Sequence, residues 1–423
     1  MSRVAIVGTG YVGLTTGVVL AHLGHSVVCA DVVPEKVAAL RRGEVSILED
    51  SLEDLVREGI DGGRLTFVLG AAEAARGAEF VFLCVQTPQG EDGSADLTFI
   101  ENAAREIAPV LPSDSVVINK STVPVGSTRL VQQALGRSDV AVVSNPEFLR
   151  EGFAVHDSLH PDRIVVGAND QSAAVRVAEL FDDVQAPLIV TDPASAEMIK
   201  YAANSFLATK VSYVNAIANL CEAVGADMRE VSLGIGYDKR IGFEFLRPGP
   251  GFGGSCLPKD TKALVRMADE AGYDFGLLEG VIEVNEGQFD RMVTKIQRAV
   301  DGNLEGRTVA VWGLTFKART NDLRDSPALE IASRLRARGA TVRAFDPTVR
   351  HAIEGIEVAG DAYAACEGAD VLAVLTEWDE FRWVDFDKVR DALARPHVVD
   401  CRNLLDPAAL RRRGFIYEGI GRI

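Results

Sequence analysis

Cys256 lies between a glycine-rich approach, Gly251-Phe252-Gly253-Gly254-Ser255, and a helix-start signal, Leu257-Pro258-Lys259-Asp260. Proline belongs in the first turn of a helix, so the thiol stands at a helix N-terminus beside Lys259, and both favour the thiolate. The chemistry this allows is nucleophilic attack; a buried spectator thiol is the alternative. Lys200 and Asn204, four residues apart, share one helix face and need polar partners on a mostly apolar helix. Two readings stand for them: a structural ion pair, or donors to a substrate oxygen with the lysine stabilising an alkoxide. Gly8-Thr9-Gly10-Tyr11-Val12-Gly13 fits GxGxxG after an apolar run, and Asp31 ends the next run. The glycines let a pyrophosphate approach a helix N-terminus, and the acid holds ribose hydroxyls while repelling a 2′-phosphate, which favours NAD over NADP. Lys36 either reaches the adenosine or is a solvated lysine. Glu147, in Asn145-Pro146-Glu147-Phe148-Leu149-Arg150-Glu151, leaves a strand at the carboxyl edge of a sheet, where it is either a base acting on water or a surface glutamate. Lys120-Ser121-Thr122-Val123-Pro124-Val125-Gly126 follows another strand in the same way and brings the Thr122 hydroxyl to that edge.

These groups need elements to position them. Residues 4–7, 14–23 and 26–30 read as strand, helix and strand, a βαβ unit, and apolar runs at 80–85, 116–119, 140–144 and 164–167 alternate with helical stretches. Asp192 caps a helix that opens with Pro193 and meets no glycine or proline until Gly225, about 32 residues or roughly 48 Å. Met198, Ile199, Phe206, Leu207, Val211, Val214, Ile217 and Leu220 make it apolar around most of its circumference, so it is expected to bridge two domains and pack against another chain. A second α/β pattern begins at 306–313 and continues through 340–346, 370–376 and 397–400, with no repeat at residue level. The fold class is α/β: an N-terminal doubly wound Rossmann-like domain (1–192), a central all-helical domain with one long helix (193–300) and a smaller Rossmann-like C-terminal domain (301–423).

Composition narrows the function. With 423 residues the chain exceeds one ordinary core, and 61 acidic against 44 basic residues give a net charge of −17. That balance argues against a general nucleic-acid or anionic-membrane surface, so an anionic ligand must be met by local Lys and Arg. No stretch approaches the roughly 20 apolar residues of a membrane span, and the N-terminal apolar run is too short for a signal peptide, which predicts a cytoplasmic protein. Six cysteines without a CxxC pair or zinc spacing predict no disulfide scaffold and no metal site; Cys29, Cys84, Cys221 and Cys366 read as packing residues in strands and helices.

Taken in order, Gly8 to Gly13, Thr87-Pro88, Asp92-Gly93-Ser94-Ala95-Asp96-Leu97, Lys120 to Gly126, Asn145 to Glu151, Lys200 to Asn204, Arg240-Ile241-Gly242, Gly251 to Asp260, Asn321 to Pro327, Thr376-Glu377-Trp378 and Arg402-Asn403 span nearly the whole chain. The combination resembles the nucleotide-sugar 6-dehydrogenases, the UDP-glucose/GDP-mannose dehydrogenase family, and looks like its UDP-glucose branch. The resemblance implies a four-electron oxidation of a hexose C6 alcohol to the carboxylate, UDP-glucose to UDP-glucuronate, with two NAD molecules used in succession. It implies a thiohemiacetal and thioester on Cys256, oxyanion stabilisation by Lys200 and Asn204, a water held by Asp260, and hydrolysis assisted by Glu147 and Thr122. NAD contacts implied are Gly8, Gly10, Tyr11, Val12, Gly13, Asp31, Lys36, Thr87, Thr122, Glu151, Lys259 and Arg324. Implied substrate contacts are Glu147, Phe148, Leu149, Arg150, Glu151, Lys200, Asn204, Phe245, Leu246, Arg247, Gly249, Gly253, Lys317 and Arg402, with Arg240 reaching the substrate of a neighbouring subunit in a homodimer built on the long helix. The C-terminal domain would bind the nucleotide sugar. The family usually has Glu-Pro-Gly-Leu where this chain has Glu49-Asp50-Ser51-Leu52, Gly where Gln86 stands, and Gly where Cys401 stands. Two other readings compete: a binding protein on the same scaffold without turnover, which would be expected to lose some of these groups, and a two-electron hydroxyacid dehydrogenase, which has no need of the cysteine loop or the third domain.

Overall fold

The computed structural model describes residues 1–90 and 95–422, so Asp92, Gly93 and Ser94 of the matched motifs lie outside the described residues. The chain divides into two compact units, Met1–Ala203 and Asn204–Ile423, and the division falls inside a single helix, Pro193–Val224, whose 32 residues match the length expected from the spacing of helix breakers.

The first unit is built on eight strands: β1 (Arg3–Val7), β2 (Ser26–Asp31), β3 (Leu65–Leu69), β4 (Phe80–Leu83), β5 (Val116–Asn119), β6 (Ala141–Ser144), β7 (Ile164–Ala168) and β8 (Leu188–Thr191). They lie in the order β3-β2-β1-β4-β5-β6-β7-β8. Successive side chains of a strand point to opposite faces, and here both faces are apolar. Val4, Ile6, Val27, Cys29, Phe82 and Ile118 pack on one side with Leu14 and Val18 of helix Tyr11–His22. Ala5, Val7, Ala30, Val81, Leu83 and Val117 pack on the other with Ile100, Ala104 and Val131. Two buried faces explain why these strands read as continuous apolar runs rather than alternating ones. The pairing of β6 with β7 is antiparallel, whereas the other strand pairs of this sheet are parallel. The intervening chain folds only the short helix Ala154–Leu159 and returns beside β6 instead of crossing over the sheet.

The second unit carries the rest of the long helix, then helices Met228–Gly236, Leu257–Glu270 and Gly276–Ala299, and a six-stranded parallel sheet. Its strands are β9 (Thr308–Trp312), β10 (Thr341–Phe345), β11 (Glu357–Val358), β12 (Val371–Val374), β13 (His397–Asp400) and β14 (Ile416–Glu418), in the order β11-β10-β9-β12-β13-β14. Val309, Val311, Val342, Ala373 and Val399 form one core with Met292, Val293 and Ile296 of the helix Gly276–Ala299 and with Val214 and Ala218 of the long helix. Ala310, Trp312, Phe345, Leu372 and Val374 form the other face with Phe381 and Leu410.

The two sheets share the order third-second-first-fourth-fifth-sixth across their first six strands, a likeness that the residue sequence does not display. The turns after their first strands are also alike. Gly8 (φ +97°) donates its N–H to the Ala30 carbonyl at 2.8 Å, and Gly313 (φ +89°) donates to the Phe345 carbonyl at 2.8 Å. Thr9 N–H reaches Asp31 at 3.2 Å, and Leu314 N–H reaches Asp346 at 2.8 Å. They differ where a cofactor would enter. The second turn has Thr315 in place of another glycine, and its hydroxyl and the Trp378 indole N–H both close on Asp346, which is fully buried. Only the first turn keeps a partly exposed carboxylate and glycines at all three positions.

Candidate active site

In the first unit, helix Tyr11–His22 starts behind Gly10 with no side chain capping it, leaving its first-turn N–H groups available to an anion. A Cβ at Gly10 would meet nothing within 4 Å, so this glycine keeps open space in front of the turn; a Cβ at Gly13 would stand 1.9 Å from the Gly8 carbonyl oxygen, so that glycine is needed for the chain to close. Asp31, at the end of β2, accepts from the Thr9 hydroxyl at 2.5 Å, from the Val32 and Val33 N–H groups, and from the Lys36 ammonium at 2.8 Å. Burial pushes its carboxyl up, but the Lys36 and Thr9 hydrogen bonds outweigh that and hold it at about 2. Lys36 is therefore tied to the acid at the cofactor turn rather than free in solvent. Tyr11 turns its hydroxyl to Glu49 and accepts the Gly152 N–H at 2.6 Å, linking the glycine turn to the segment that carries Glu147 and Glu151. The open face at Gly10, the uncapped helix and the ribose-type carboxylate fit NAD.

Glu147 and Thr122 each stand three residues beyond a Cα pair of adjacent strands, Ser144 and Asn119, so strand register brings both to one edge of the sheet. Glu147 is buried, not a surface glutamate, and accepts from the Lys200 ammonium at 2.8 Å and the Leu149 N–H at 2.6 Å. Burial pushes the Glu147 carboxyl up, yet the adjacent Lys200 charge and hydrogen bond, with the Leu149 N–H and Lys120, hold it below the ordinary value. Phe148 presents its ring to Arg163 at 3.7 Å and to Lys200 at 5.6 Å. Arg150 folds onto Asp157 at 2.6 Å, and the Thr87 hydroxyl donates to the Thr122 carbonyl at 2.9 Å.

In the second unit Cys256 is the N-cap residue of helix Leu257–Glu270, with Pro258 in its first turn, as the sequence pattern anticipates. It is partly exposed, whereas the other five cysteines are buried. Burial pushes the Cys84, Cys366 and Cys401 thiols up to about 12 and raises Cys29 as well, leaving them inert at neutral pH. Asp260, one turn along, is buried; it accepts from the Asn204 amide at 2.6 Å and from the Lys259 ammonium at 2.8 Å. Lys259 thus neutralises the acid that follows the thiol. The approach to Cys256 is held by backbone contacts: Asn285 brackets Phe252 N–H (2.7 Å) and C=O (3.1 Å), Gln288 donates to the Gly249 carbonyl at 2.9 Å, and Asn215 accepts its N–H at 2.8 Å. A Cβ on Gly253 would lie 2.1 Å from the Asp325 carbonyl, so only glycine lets the two segments pass.

Arg402 donates to the Leu375 and Phe316 carbonyls, each at 2.8 Å, and pairs with Glu377 at 2.9 Å. Lys317 lies 5.4 Å from the Phe316 ring centroid, and Arg324 pairs with Asp322 at 2.6 Å. Phe245 sits at φ +63°, an uncommon conformation for a bulky residue, next to buried Leu246; Arg247 is exposed, and Arg240 is exposed and paired with Asp238. Sequence reasoning assigned no role to Lys120, Asn145, Glu197, Arg163 or the Tyr11–Glu49 contact. Lys120 donates to Asn145 at 3.0 Å inside the core, and both lay within motifs already singled out. No group of three His, Cys, Asp or Glu side chains among the described residues is placed to hold a metal ion.

The glycine turn, the acid after β2 and the 3-2-1-4-5-6 sheet define a dehydrogenase of the NAD-binding Rossmann class, here joined to a second sheet of the same order. The chain belongs to the UDP-glucose/GDP-mannose dehydrogenase family: models of its NAD binding, central and UDP binding domains match residues 2–185, 194–287 and 310–407. It is 46% identical to the UDP-glucose 6-dehydrogenase TuaD of Bacillus subtilis (strain 168) over 432 residues, covering 100% of this chain and 94% of that one. It is 43% identical to the UDP-glucose 6-dehydrogenase of Rhizobium meliloti (strain 1021), covering 99% of both chains. Among solved structures it is similar to a UDP-glucose dehydrogenase from the archaeon Pyrobaculum islandicum, with TM-score 0.92 and 37% identity over 100% of this chain and 98% of that one. It is also similar to a UDP-D-ManNAc dehydrogenase from Pyrococcus horikoshii, with TM-score 0.88 and 28% identity over 99% of each. This protein is an NAD-dependent dehydrogenase. No helix among the described residues is long and apolar enough to cross a membrane.

Proposed function

We propose that the chain oxidises the C6 hydroxymethyl of UDP-glucose to the carboxylate, giving UDP-glucuronate. The observation that carries this reading is the partly exposed Cys256 at a helix start, with Asn204 bonded to Asp260 one turn beyond it. The substrate is supported by the relatives, which are UDP-glucose 6-dehydrogenases at up to 46% identity over the full chain. NAD, when bound, accepts a hydride in each of two successive oxidations. The chain's own residues do the rest. Asp260 orders a water that takes the hydroxyl proton, while Lys200 and Asn204 donate to the developing oxyanion. The Cys256 sulfur adds to the aldehyde carbon, which keeps the intermediate on the protein and makes the second oxidation another hydride loss. Water then adds to the thioester carbon, the C–S bond breaks, and Glu147 takes the proton with Thr122 helping to place the water. Lys317, Arg402 and Arg247 offset the diphosphate charge in an acidic protein.

Three domains, 1–192, 193–300 and 301–423, organise this work in our reading: NAD binding, dimerisation with the nucleophile loop, and nucleotide-sugar binding. The homodimer uses the long helix, where Phe206, Tyr213 and Leu220 stand two turns apart and 65%, 58% and 56% exposed in the single chain. We place the chain in the cytoplasm, whose reducing conditions suit six cysteines of which none is joined in a disulfide. The test is NADH absorbance with limiting UDP-glucose, beside GDP-mannose and a UDP-N-acetylhexosamine. Two NADH per UDP-glucose and little from the others is the expected result; one NADH per sugar would remove the thioester, and preference for an acetylated sugar would remove the substrate assignment.

A further inference from the structure

Glu197 lies on the long helix one turn before Lys200 and is buried. One carboxylate oxygen accepts the Gly126 N–H at 2.6 Å; the other accepts the Thr128 N–H at 2.8 Å and the Thr128 hydroxyl at 2.7 Å. Those N–H groups begin the nine-residue helix Ser127–Leu135, whose own N-cap, Gly126, has no side chain with which to cap it. The missing cap is supplied by a different helix. A carboxylate in that position satisfies orphan donors and meets the positive end of the helix dipole. Burial opposes the charge and pushes the Glu197 carboxyl up, so the contact is held at some cost by three hydrogen bonds.

The capped helix continues directly from the segment bearing Thr122. That segment is fastened at its other end by the Thr87 hydroxyl on the Thr122 carbonyl, and within it the Ser127 hydroxyl donates to the Pro124 carbonyl at 2.6 Å. Glu197 therefore joins two things that the hydrolytic step needs in register: the Thr122 segment, and the turn of helix whose Lys200 holds Glu147 at 2.8 Å. Asn204 donates to Asp260 at 2.6 Å, a hydrogen bond separate from the three that Glu197 accepts. We infer that Glu197 is a positioning residue for thioester hydrolysis, acting through the Thr122 segment and not through the two oxidations. The inference rests on the roles of Cys256, Glu147 and Thr122 proposed above. In the affected step a water O–C bond forms at the thioester carbon, the C–S bond breaks, the Cys256 thiolate leaves, and the water proton passes to Glu147.

Two variants of the full chain test it. Glu197→Gln keeps the shape but turns an amide donor toward backbone donors; Thr128→Val removes only the hydroxyl bond. Rapid-mixing NADH traces with UDP-glucose and intact-protein mass spectra of quenched reactions separate the steps. The expected result for Glu197→Gln is steady-state turnover lower by roughly 10 to 100-fold, the loss associated with misplacing a reacting group by about 1 Å. At saturating NAD, which offsets any weakening of the cofactor contact implied for Thr122, the first two hydride losses should stay within about twofold of the parent, and a glucuronyl adduct should accumulate on Cys256. Thr128→Val should show the same pattern at a few-fold, and it decides the matter if Glu197→Gln does not fold. Equal slowing of oxidation and turnover, or unchanged turnover in both variants, overturns the inference. Cys256→Ser is the control: two NADH per sugar at parent rates in that variant would sink the nucleophile reading itself, an outcome distinct from an adduct that forms but hydrolyses at the parent rate in Glu197→Gln.

Discussion

Glu147 and Lys200 are each buried, and each is tolerable there because of the other. Removing one partner of a buried pair leaves an uncompensated charge and costs about 3 to 5 kcal/mol. Lys200→Met is accordingly expected to lower the unfolding free energy by about that amount in a urea titration near neutral pH. The pH dependence follows from the sign of the shift. The Glu147 carboxyl is held below its ordinary value of 4.5, so the pair contributes stability above that value and loses it as the pH falls through the depressed one. In Lys200→Met burial is less opposed, that contribution shrinks, and the gap between the two proteins should narrow on acidification. A gap that stays constant from pH 7 to 4 would show that the pair does not govern the Glu147 ionisation.

At the scale of the element, the glycine turn after β1 separates folding from binding. Gly13 carries close packing, since a Cβ there would stand 1.9 Å from the Gly8 oxygen, while Gly10 faces open space. Gly13→Ala is expected to destabilise the protein outright. Gly10→Ala should leave the melting temperature within a degree or two but raise the KM for NAD about tenfold or more, because the new methyl occupies the approach of the pyrophosphate to the helix N-terminus. Thermal melts beside NAD saturation curves check both, and an unchanged KM in Gly10→Ala would place the pyrophosphate elsewhere. A related strain appears at Ser51, which sits at φ +65° where the resemblance leads one to expect glycine.

For the whole molecule, the exposed stripe of Phe206, Tyr213 and Leu220 on the long helix is the feature that one chain leaves unexplained. Leu233 and Tyr237 of the helix Met228–Gly236 are exposed as well. Clustered apolar exposure of this kind marks an association surface, and a second copy of the same helix is the occupant proposed above. Phe206→Glu with Leu220→Lys should halve the mass measured by light scattering after gel filtration, with the far-ultraviolet circular dichroism kept. A dimer that survives both changes would exclude this face.

Much was legible in the sequence because it depends on local rules. The fold class, the long helix bounded by Pro193 and Gly225, the glycine turn with Asp31, and Cys256 at a helix start all rest on periodicity, breakers and caps acting over a few residues. What the tertiary structure alone decided are relations between distant segments. Glu147 is a buried partner of Lys200 because strand register and helix packing bring residues 53 apart to 2.8 Å. Glu197 caps a helix 69 residues away, and no local pattern marks a carboxylate that serves another element's N-terminus. That both halves are Rossmann-like was legible, but the strand-by-strand match of the two sheets and the filling of the second turn around Asp346 came only from the tertiary structure: strand order is set by which faces bury together, and unlike sequences can satisfy that same requirement.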